Sequence, residues 1–340
     1  MKKEKVSREE RMSEIQQKLE NGVRDIFESE KYKEYISTMS KFSSYSINNC
    51  ILIVSQCPDA SFVCGYQKWQ TDFNRVVNRN EHGIMIIAPL KYKAEVDEVV
   101  YDENSHPVKD TNGDQVTEKA QREFQAFRPA YVFDVKQTSG DPLPTLANLL
   151  ECGVEGFEKI KSALIAISPV PVSFEAIDSG ANGYFSPSGQ CIVVKSEMSE
   201  LQTVKTLIHE IAHAELGHGG EDDKWNRESK EVMAESVAYW VSQMLNLDTS
   251  DYSFGYISGW SKNREVSELK ENLELIKSTA DKISADLEKE LTKNMKQEEK
   301  EMQSAEETQK DEATEHVSSQ GRRKKTDKFI RFFAISIFKP

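Results

Sequence analysis

The segment 206–218, TLIHEIAHAELGH, limits the possible folds more than any other part of the sequence. Two histidines stand four residues apart, with a glutamate directly after the first: His209, Glu210 and His213. On a helix, residues four apart lie on the same face, so both imidazoles can point at one ion. The apolar residues around them recur at helical spacing, which predicts a buried helix. Because buried polar groups must be paired or bound, the segment predicts a metal-binding helix.

The residue types in this H-E-x-x-H segment indicate hydrolytic chemistry. The imidazoles of His209 and His213 suit Zn²⁺, and zinc lowers the pKa of a bound water towards neutrality. Glu210 would lie beside the metal without binding it, where its carboxylate can take a proton from that water. The resulting nucleophile can attack an amide carbonyl. The alternative is an ordinary amphipathic helix with two exposed histidines.

A third metal ligand is expected from a second helix, predicted over residues 228–247. Glu231 and Glu235 again stand four apart on one face, and the loop 217–226 would fold this helix back over the first. We assign Glu231 as the third ligand and Glu235 as the carboxylate that accepts an N–H from a ligand histidine and fixes its tautomer. The alternative is that both are carboxylates on the helix surface.

Length and composition favour a two-domain protein. A chain of 340 residues is long enough for two cores, and no apolar segment approaches the length of a membrane span. The N-terminus is charged and has no apolar stretch typical of a signal peptide, so we expect a cytoplasmic protein with no membrane partner. Five cysteines without a C-x-x-C pattern are then expected to be free thiols.

Charge is distributed unevenly along the chain. The formal net charge is -13, yet residues 1–95 contain 15 basic and 13 acidic side chains. An anionic partner is therefore permitted in the N-terminal part and disfavoured elsewhere.

Residues 1–141 are predicted to begin with helices. Apolar residues at helical spacing predict one charged amphipathic helix over 1–37 and a second helix over 38–57. Ser44 or Ser46 is a suitable cap for the second helix.

A small antiparallel sheet is predicted to follow. The apolar run 84–89 and the segment 131–135 predict strands, and the polar stretch 94–126 predicts a hairpin extension of the sheet. Aromatic and basic side chains accompany this β-rich unit: Tyr66, Lys68, Trp69, Arg75 and Arg79. Bases could stack on the rings while the cations follow the phosphates of a single strand, and packing in the core is the alternative for the aromatics.

The segment from 142 onwards is predicted to form a second domain. A helix over 153–167 is followed by a hairpin over 182–194, directly before the H-E-x-x-H helix, and an exposed edge strand there would suit binding of a substrate backbone. Tyr252 or Tyr256 could donate to a developing oxyanion, with packing as the alternative.

The C-terminal part is predicted to be helical and then disordered. Apolar residues at spacings of three and four over 266–287 allow self-association or packing onto the domain, and the short length favours packing. Residues 292–328 are rich in charge and lack aromatic residues, which predicts disorder.

Several of these segments resemble a known family. The N-terminal half resembles the ArdC-type single-stranded-DNA-binding domain of antirestriction proteins on plasmids and conjugative elements. The residues that carry this likeness are Tyr45-Ser46-x-Asn48-Asn49, Gly65-Tyr66-x-x-Trp69, Ile86-Ile87-Ala88-Pro89 and Val132-Phe133-Asp134-Val135-x-Gln137-Thr138. The C-terminal half resembles the accompanying metallopeptidase domain of ImmA/IrrE type. The matching residues there are Gly183-Tyr184-Phe185, the segment 206–214 and Glu231-x-x-Ala234-Glu235-x-x-Ala238-Tyr239.

The resemblance implies single-stranded-DNA binding, protection of mobile-element DNA from restriction, and a zinc-peptidase fold. It assigns zinc and water binding to His209, His213, Glu231 and Glu210. The expected fold class is α+β: N-terminal helices with a small antiparallel sheet, then a zincin-like domain, a C-terminal helix and a disordered tail. The expected boundaries are 1–141, 142–262, 263–291 and 292–340.

Three functions remain open from the sequence. The first is a single-stranded-DNA-binding protein with a zinc peptidase site that acts on a peptide or protein. The second is a zinc metallopeptidase that cleaves a protein regulator and has no DNA role. The third is a non-enzymatic DNA-binding protein whose zinc is structural.

Overall fold

The fold is taken from a computed structural model of the chain. The described residues are 8–28, 32–101, 106–109, 112–113, 115–143, 153–252 and 254–310. Within them, helices and small sheets alternate in the α+β manner that the sequence predicts.

Four helices lie in the N-terminal half: α1 (Arg8–Glu28), α2 (Tyr32–Met39), α3 (Ile47–Gln56) and α4 (Tyr66–Phe73). The single helix expected over 1–37 is therefore two helices, and the helix expected over 38–57 begins later, at Ile47. Ser46 is its cap, because its side chain accepts a hydrogen bond from the backbone N–H of Asn49.

The main N-terminal sheet has the strand order β1-β4-β3, formed by β1 (Val63–Gly65), β3 (Ile84–Val99) and β4 (Thr117–Asp134). All pairs are antiparallel, and the β3–β4 ladder runs without interruption from Ile84↔Val132 to Val99↔Thr117. This long ribbon is the hairpin extension that the polar stretch predicted. Two short strands, β2 (Arg75–Val77) and β5 (Thr138–Gly140), form a separate pair beside it.

The outer edge of β3 is closed by α3 rather than by another strand. The side-chain amide of Asn49 donates to the carbonyl of Ile87 at 2.9 Å and accepts from its N–H at 2.8 Å. Gln56 makes the same pair of bonds with Met85, at 2.9 and 3.0 Å. Exposed strand edges invite pairing with other chains, so these two side chains protect the base of the ribbon.

The C-terminal half places a small sheet against helices. After α5 (Gly153–Ile167), strands β6 (Val172–Glu175), β7 (Gly183–Ser186) and β8 (Cys191–Lys195) form a sheet of order β6-β8-β7. β6 is parallel to β8, and β7 forms the predicted antiparallel hairpin with β8. The remaining helices are α6 (Glu200–Glu215), α7 (Arg227–Met244), α8 (Ile257–Ser261) and α9 (Val266–Lys310).

Helix α9 corrects one expectation about the C-terminal part and agrees with the favoured alternative, packing onto the domain, for another. It continues through residues 292–310, which were expected to be disordered, because Glu, Lys, Gln and Met are good helix formers even without an apolar stripe. The rest of the predicted tail, 311–340, lies outside the described residues. The apolar stripe over 266–287 packs against α5 and α7 of the same chain, with Leu273 and Ile276 fully buried. That stripe is therefore not available for self-association.

The two halves share one hydrophobic core. A single cluster of buried side chains includes Ile36 and Ile51 from the N-terminal helices together with Trp240 of α7 and Leu273 of α9. None of the helices in the described part of the chain has the length and apolar character that a membrane span needs. The four described cysteines are free, as expected, and Cys152 falls outside the described residues.

Candidate metal centre

Helix α6 buries one face and presents the other to a cleft. Its N-terminus is capped by Ser199, whose side chain accepts from the N–H of Gln202. Val204, Leu207, Ile208 and Ile211 are buried in the core. The opposite face carries His209 and His213 one turn apart, so the periodicity of the sequence sets the direction of both imidazoles.

Helix α7 is fixed over α6 by the loop between them. The carboxylate of Asp223, whose side chain is only 3% exposed, accepts hydrogen bonds from the N–H groups of Gly219 and Trp225 and pairs with Lys230. Asn226 then caps α7 by accepting from the N–H of Ser229. Because Lys230 directly precedes Glu231, the contacts of this loop set the position of the Glu231 carboxylate.

Three side-chain atoms converge as a metal ion requires. The Nε2 atoms of His209 and His213 are 3.1 Å apart, and Glu231 Oε2 lies 3.6 Å from the first and 3.7 Å from the second. A tetrahedral ion with bonds of about 2.0–2.1 Å holds its ligand atoms about 3.3 Å apart. The donor set and spacing thus fit one divalent cation, which is the arrangement the sequence predicted for these three residues.

Glu235 lies behind His209, on the side away from the other ligands. Its Oε2 is 3.7 Å from His209 Nδ1, the nitrogen left over when Nε2 binds a metal. At this distance the contact is an ion pair rather than a hydrogen bond, and a small rotation would close it. Burial raises the pKa of Glu235 despite the nearby histidine. The position matches the orienting role expected for this carboxylate.

The charges of the centre are strongly coupled. The close imidazoles of His209 and His213 hold the pKa of Glu231 far below its usual range. Burial disfavours the charged form of His209, but the contact with Glu231 and the neighbouring carboxylates of Glu210 and Glu235 outweigh it and raise its pKa. When the His209 imidazole is protonated it forms an ion pair with Glu231, and a cation bound at the same place would take the position of that proton.

Glu210 is positioned by the edge of the small sheet. The residue is 6% exposed, and burial raises its pKa against the opposing effect of His209 and His213. The backbone N–H of Phe185 in β7 donates to its carboxylate. Gly183 allows this close packing, because a Cβ there would lie 2.8 Å from Thr206 Cγ2 and 3.0 Å from the carbonyl of Val193.

A polar cleft of about 300 Å³ opens beside the metal-binding atoms. It runs along α6 between the start of β7 and the segment after α7, and its lining includes His209, Glu210, Lys205, Asp251 and Tyr252. Lys205 is 5% exposed and pairs with Asp251 while lying over the ring of Tyr252 at 5.1 Å. Of the two tyrosines considered for an oxyanion, Tyr252 lines this cleft.

The N-terminal half supports the wall of the cleft. Lys33 of α2 donates to the carbonyls of Thr249 at 2.7 Å and Tyr252 at 2.9 Å. The neighbouring Tyr32 hydroxyl lies 2.8 Å from Ser236 Oγ, next to Glu235. The segment that carries Asp251 and Tyr252 is thus held from the other half of the chain.

Sequence reasoning assigned no role to His218, which the structure places in the centre. Its Nδ1 lies 2.7 Å from Nδ1 of His213, and the residue is 3% exposed. Burial and the nearby His213 lower its pKa to about 4, so the ring is neutral at pH 7. The available signal was a third histidine at the end of TLIHEIAHAELGH, just after a glycine that ends the helix.

Two of the five residues proposed to contact DNA have structural roles instead. Trp69 is fully buried, and its indole N–H donates to the carbonyl of Phe133. The guanidinium of Arg75 is bound to Thr138 and to the carbonyls of Gly140 and Asp141. The indole therefore has no face free for a base, and the Arg75 guanidinium is engaged within the β2–β5 pair.

The other three residues of that set are accessible to different degrees. Tyr66 is 59% exposed, Arg79 is exposed and Lys68 is half-buried. An additional signal was missed on β4, where Phe127 and Tyr131 are 50% and 49% exposed. Sequence periodicity alone did not single them out, because both faces of an isolated ribbon are solvated.

Comparison with known proteins agrees with this two-part organisation. The family model of the N-terminal domain of anti-restriction factor ArdC matches residues 5–133. The M78 peptidase model, described as the IrrE N-terminal-like domain, matches residues 168–253, which include His209, His213 and Glu231. The chain pairs an ArdC-type domain with an IrrE-like peptidase domain.

Individual relatives of this ArdC-like chain are distant. An uncharacterized Bacillus anthracis protein is 26% identical over 331 residues, covering 86% of this chain and 55% of the relative, so the chain spans about half of that protein's length. The metal-free crystal structure of the antirestriction protein ArdC from plasmid R388 is 17% identical, with a TM-score of 0.40, and covers 73% of this chain and 86% of that one. Its Mn(II)-bound structure is 16% identical, with a TM-score of 0.47, and covers 82% and 97%.

Proposed function

We propose that this ArdC-like protein is a zinc metallopeptidase that also binds single-stranded DNA. Its proposed role is antirestriction, the protection of mobile-element DNA from host restriction. The observation that carries the peptidase is the convergence of His209 Nε2, His213 Nε2 and Glu231 Oε2 beside an open cleft. A purely structural zinc is usually enclosed by four protein ligands, whereas three ligands beside a cleft suit catalysis.

The groups at the centre have different roles in the proposed peptide hydrolysis. When bound, zinc supplies a water of lowered pKa and polarises the substrate carbonyl. Glu210, with its raised pKa, would take a proton from the attacking water and pass it to the amine as the carbon–nitrogen bond of the peptide breaks. Among the described strands, the edge strand β7 pairs with β8 alone, and its remaining outward backbone groups suit pairing with an extended substrate beside Glu210.

The proposed DNA surface lies on the N-terminal sheet. Phe127, Tyr131 and Phe133 stand at alternate positions of β4 and therefore share one face, and the ring of Tyr66 lies 6.0 Å from that of Phe133. Bases of a single strand can stack on such exposed rings without sequence preference, while nearby cations attract phosphates. The suitable cations are the exposed Arg79 and Lys93 of β3, which is in register with Glu123 of β4.

Glu210→Gln is the decisive test of the peptidase. The amide keeps the shape of the side chain but cannot accept the proton, so we expect cleavage of a quenched fluorescent peptide library to fall by about 10²–10⁴-fold. Zinc content, measured by elemental analysis, should equal that of the wild type. Unchanged cleavage would reject the general-base role, and absence of cleavage in the zinc-loaded wild type would favour a non-enzymatic protein.

Tyr131→Ala tests the DNA surface. Loss of one stacking ring should weaken binding of a fluorescent oligothymidine by about 1–3 kcal/mol, with the thermal midpoint nearly unchanged because the ring is half exposed. Tyr184→Ala, an equally exposed tyrosine on β7, is the matched control. If the wild type fails to bind single strands even at low salt, the DNA role is rejected.

A further inference from the structure

The turn that ends α6 brings His218 onto His213. Leu216 caps the helix, and Gly217 follows with a positive φ of 66°. The N–H of His218 donates to the carbonyl of His213, and that of Gly217 donates to the carbonyl of Ala214, both at 3.1 Å. These two bonds define a Schellman turn, in which the side chain after the glycine contacts the side chain one turn back in the helix. Here that pair is His218 and His213.

The contact fixes which nitrogen of each ring carries a proton. His213 turns Nε2 towards His209 and Glu231, so in the metal-bound form this nitrogen has no hydrogen. A neutral imidazole has one N–H, which must then lie on Nδ1 of His213. Since Nδ1 of His218 is 2.7 Å away, it must accept that hydrogen, and the proton of His218 lies on Nε2.

We propose that His218 is a positioning residue that holds His213 in the metal-binding tautomer and ring orientation through an Nδ1–H···Nδ1 hydrogen bond. The inference rests on the proposed metal site. It gives His213 the same support that Glu235 gives His209, with a neutral ring in place of a carboxylate. Partners of this kind around metal ligands commonly contribute about 10–100-fold to metal affinity.

The burial of His218 supports a dedicated role. The ring is 3% exposed, and its Nε2 has no hydrogen-bond partner among the described residues. A histidine retained only for packing could be replaced by an apolar residue, which would remove an unsatisfied polar atom. The one nitrogen that is satisfied is the one that faces the ligand. Asp223, a carboxylate of the same loop, is engaged by Lys230 and two backbone N–H groups instead.

Two amides of different length test the proposal. In Asn the side-chain oxygen takes the place of Nδ1, whereas in Gln it takes the place of Nε2. For His218→Asn we expect zinc affinity, measured by competition with a chromophoric chelator, within about threefold of the wild type. For His218→Gln and His218→Ala we expect a loss of about 10–100-fold. The visible spectrum of the Co²⁺-loaded protein should keep its bands in the Asn variant and change in the Gln variant.

The outcomes separate the positioning role from the metal site itself. His82→Asn, at an exposed histidine outside the site, should leave both readouts unchanged. If His218→Ala does not fold, the comparison of His218→Asn with His218→Gln still tests the positioning role. Equal losses in Asn and Gln, or no loss in any variant, would overturn the positioning role. If the wild type binds Zn²⁺ no better than His209→Ala, the proposed metal site fails instead.

Discussion

The metal centre and the surface around Tyr66 are built in opposite ways. At the candidate metal centre, polar side chains face one another, and the pKa shifts there arise from burial together with the charges of the neighbouring side chains. On the N-terminal sheet, aromatic side chains are exposed along a ribbon, while the buried Trp69 only supports them. A buried polar cluster is costly without a ligand, whereas exposed rings cost little and gain by stacking. The first arrangement indicates chemistry, and the second indicates binding.

The largest expected effect is the loss of metal in Glu231→Ala. Removing one of three protein ligands should lower zinc affinity by more than about a hundredfold, beyond the usual effect of an outer partner. Glu228→Ala, an exposed carboxylate one turn earlier on α7, is the control and should bind zinc normally. Isothermal titration with Zn²⁺ gives both numbers. Equal zinc affinities of Glu231→Ala and Glu228→Ala would contradict the assignment of Glu231 as a metal ligand.

A second prediction sharpens the division within the N-terminal sheet. Trp69→Ala should lower the free energy of unfolding by about 3–5 kcal/mol, because a fully buried indole is lost. Tyr66→Ala should leave stability nearly unchanged and weaken only binding of a single strand. Chemical denaturation and oligothymidine binding, measured on both variants, check the two roles. A stable Trp69→Ala protein with weak DNA binding would restore the tryptophan as a contact residue.

The metal centre should also respond to pH, unlike the aromatic surface. A proton on His209 competes with the metal, and the pKa of this imidazole in the metal-free protein is raised above 6.5. Zinc affinity should therefore fall as the pH drops through that raised value, by about tenfold per pH unit for each proton displaced. Titrations between pH 8 and pH 5 measure the slope. A flat profile would contradict the ion pair of His209 with Glu231.

The smallest expected effect concerns the contact between the halves. Tyr32→Phe removes the buried hydrogen bond to Ser236 without creating a cavity, which should cost about 1 kcal/mol of stability. The thermal midpoint of the metal-free protein measures this loss. Tyr35→Phe on the same helix, whose ring is only partly buried, is the matched control. A loss of stability limited to the metal-loaded form would instead indicate that the Tyr32–Ser236 contact supports the metal centre.

The parts of the molecule that follow from short-range spacing were predictable. The four-residue spacing of His209 and His213 and of Glu231 and Glu235 directs each pair to one side of its helix. The loop between α6 and α7 brings these two pairs together. Its length shows from the sequence that α7 is able to fold back over α6. The hairpins at β3–β4 and β7–β8 likewise follow from local turns and apolar patterning.

Features that depend on tertiary contacts were not predictable in the same way. Trp69 and Tyr66 have similar sequence surroundings, yet one ring turns into the core and the other turns out. His218 lies five residues after His213, a separation that places it on another face of a continuing helix. Only the left-handed residue Gly217 reverses the chain and brings the rings together. The helix over 292–310 has low hydrophobicity and no apolar stripe, so helix propensity is the sequence signal that favours it over disorder.

The bond between Tyr32 and Ser236 restricts how this chain can be rearranged. Helix α2 belongs to the segment matched by the ArdC-type family model, while its packing partner α7 belongs to the peptidase segment. Exchange of either segment for a foreign homologue would set two unmatched surfaces against each other within one core. The two segments therefore depend on each other for a complete core, although the sequence shows two modules.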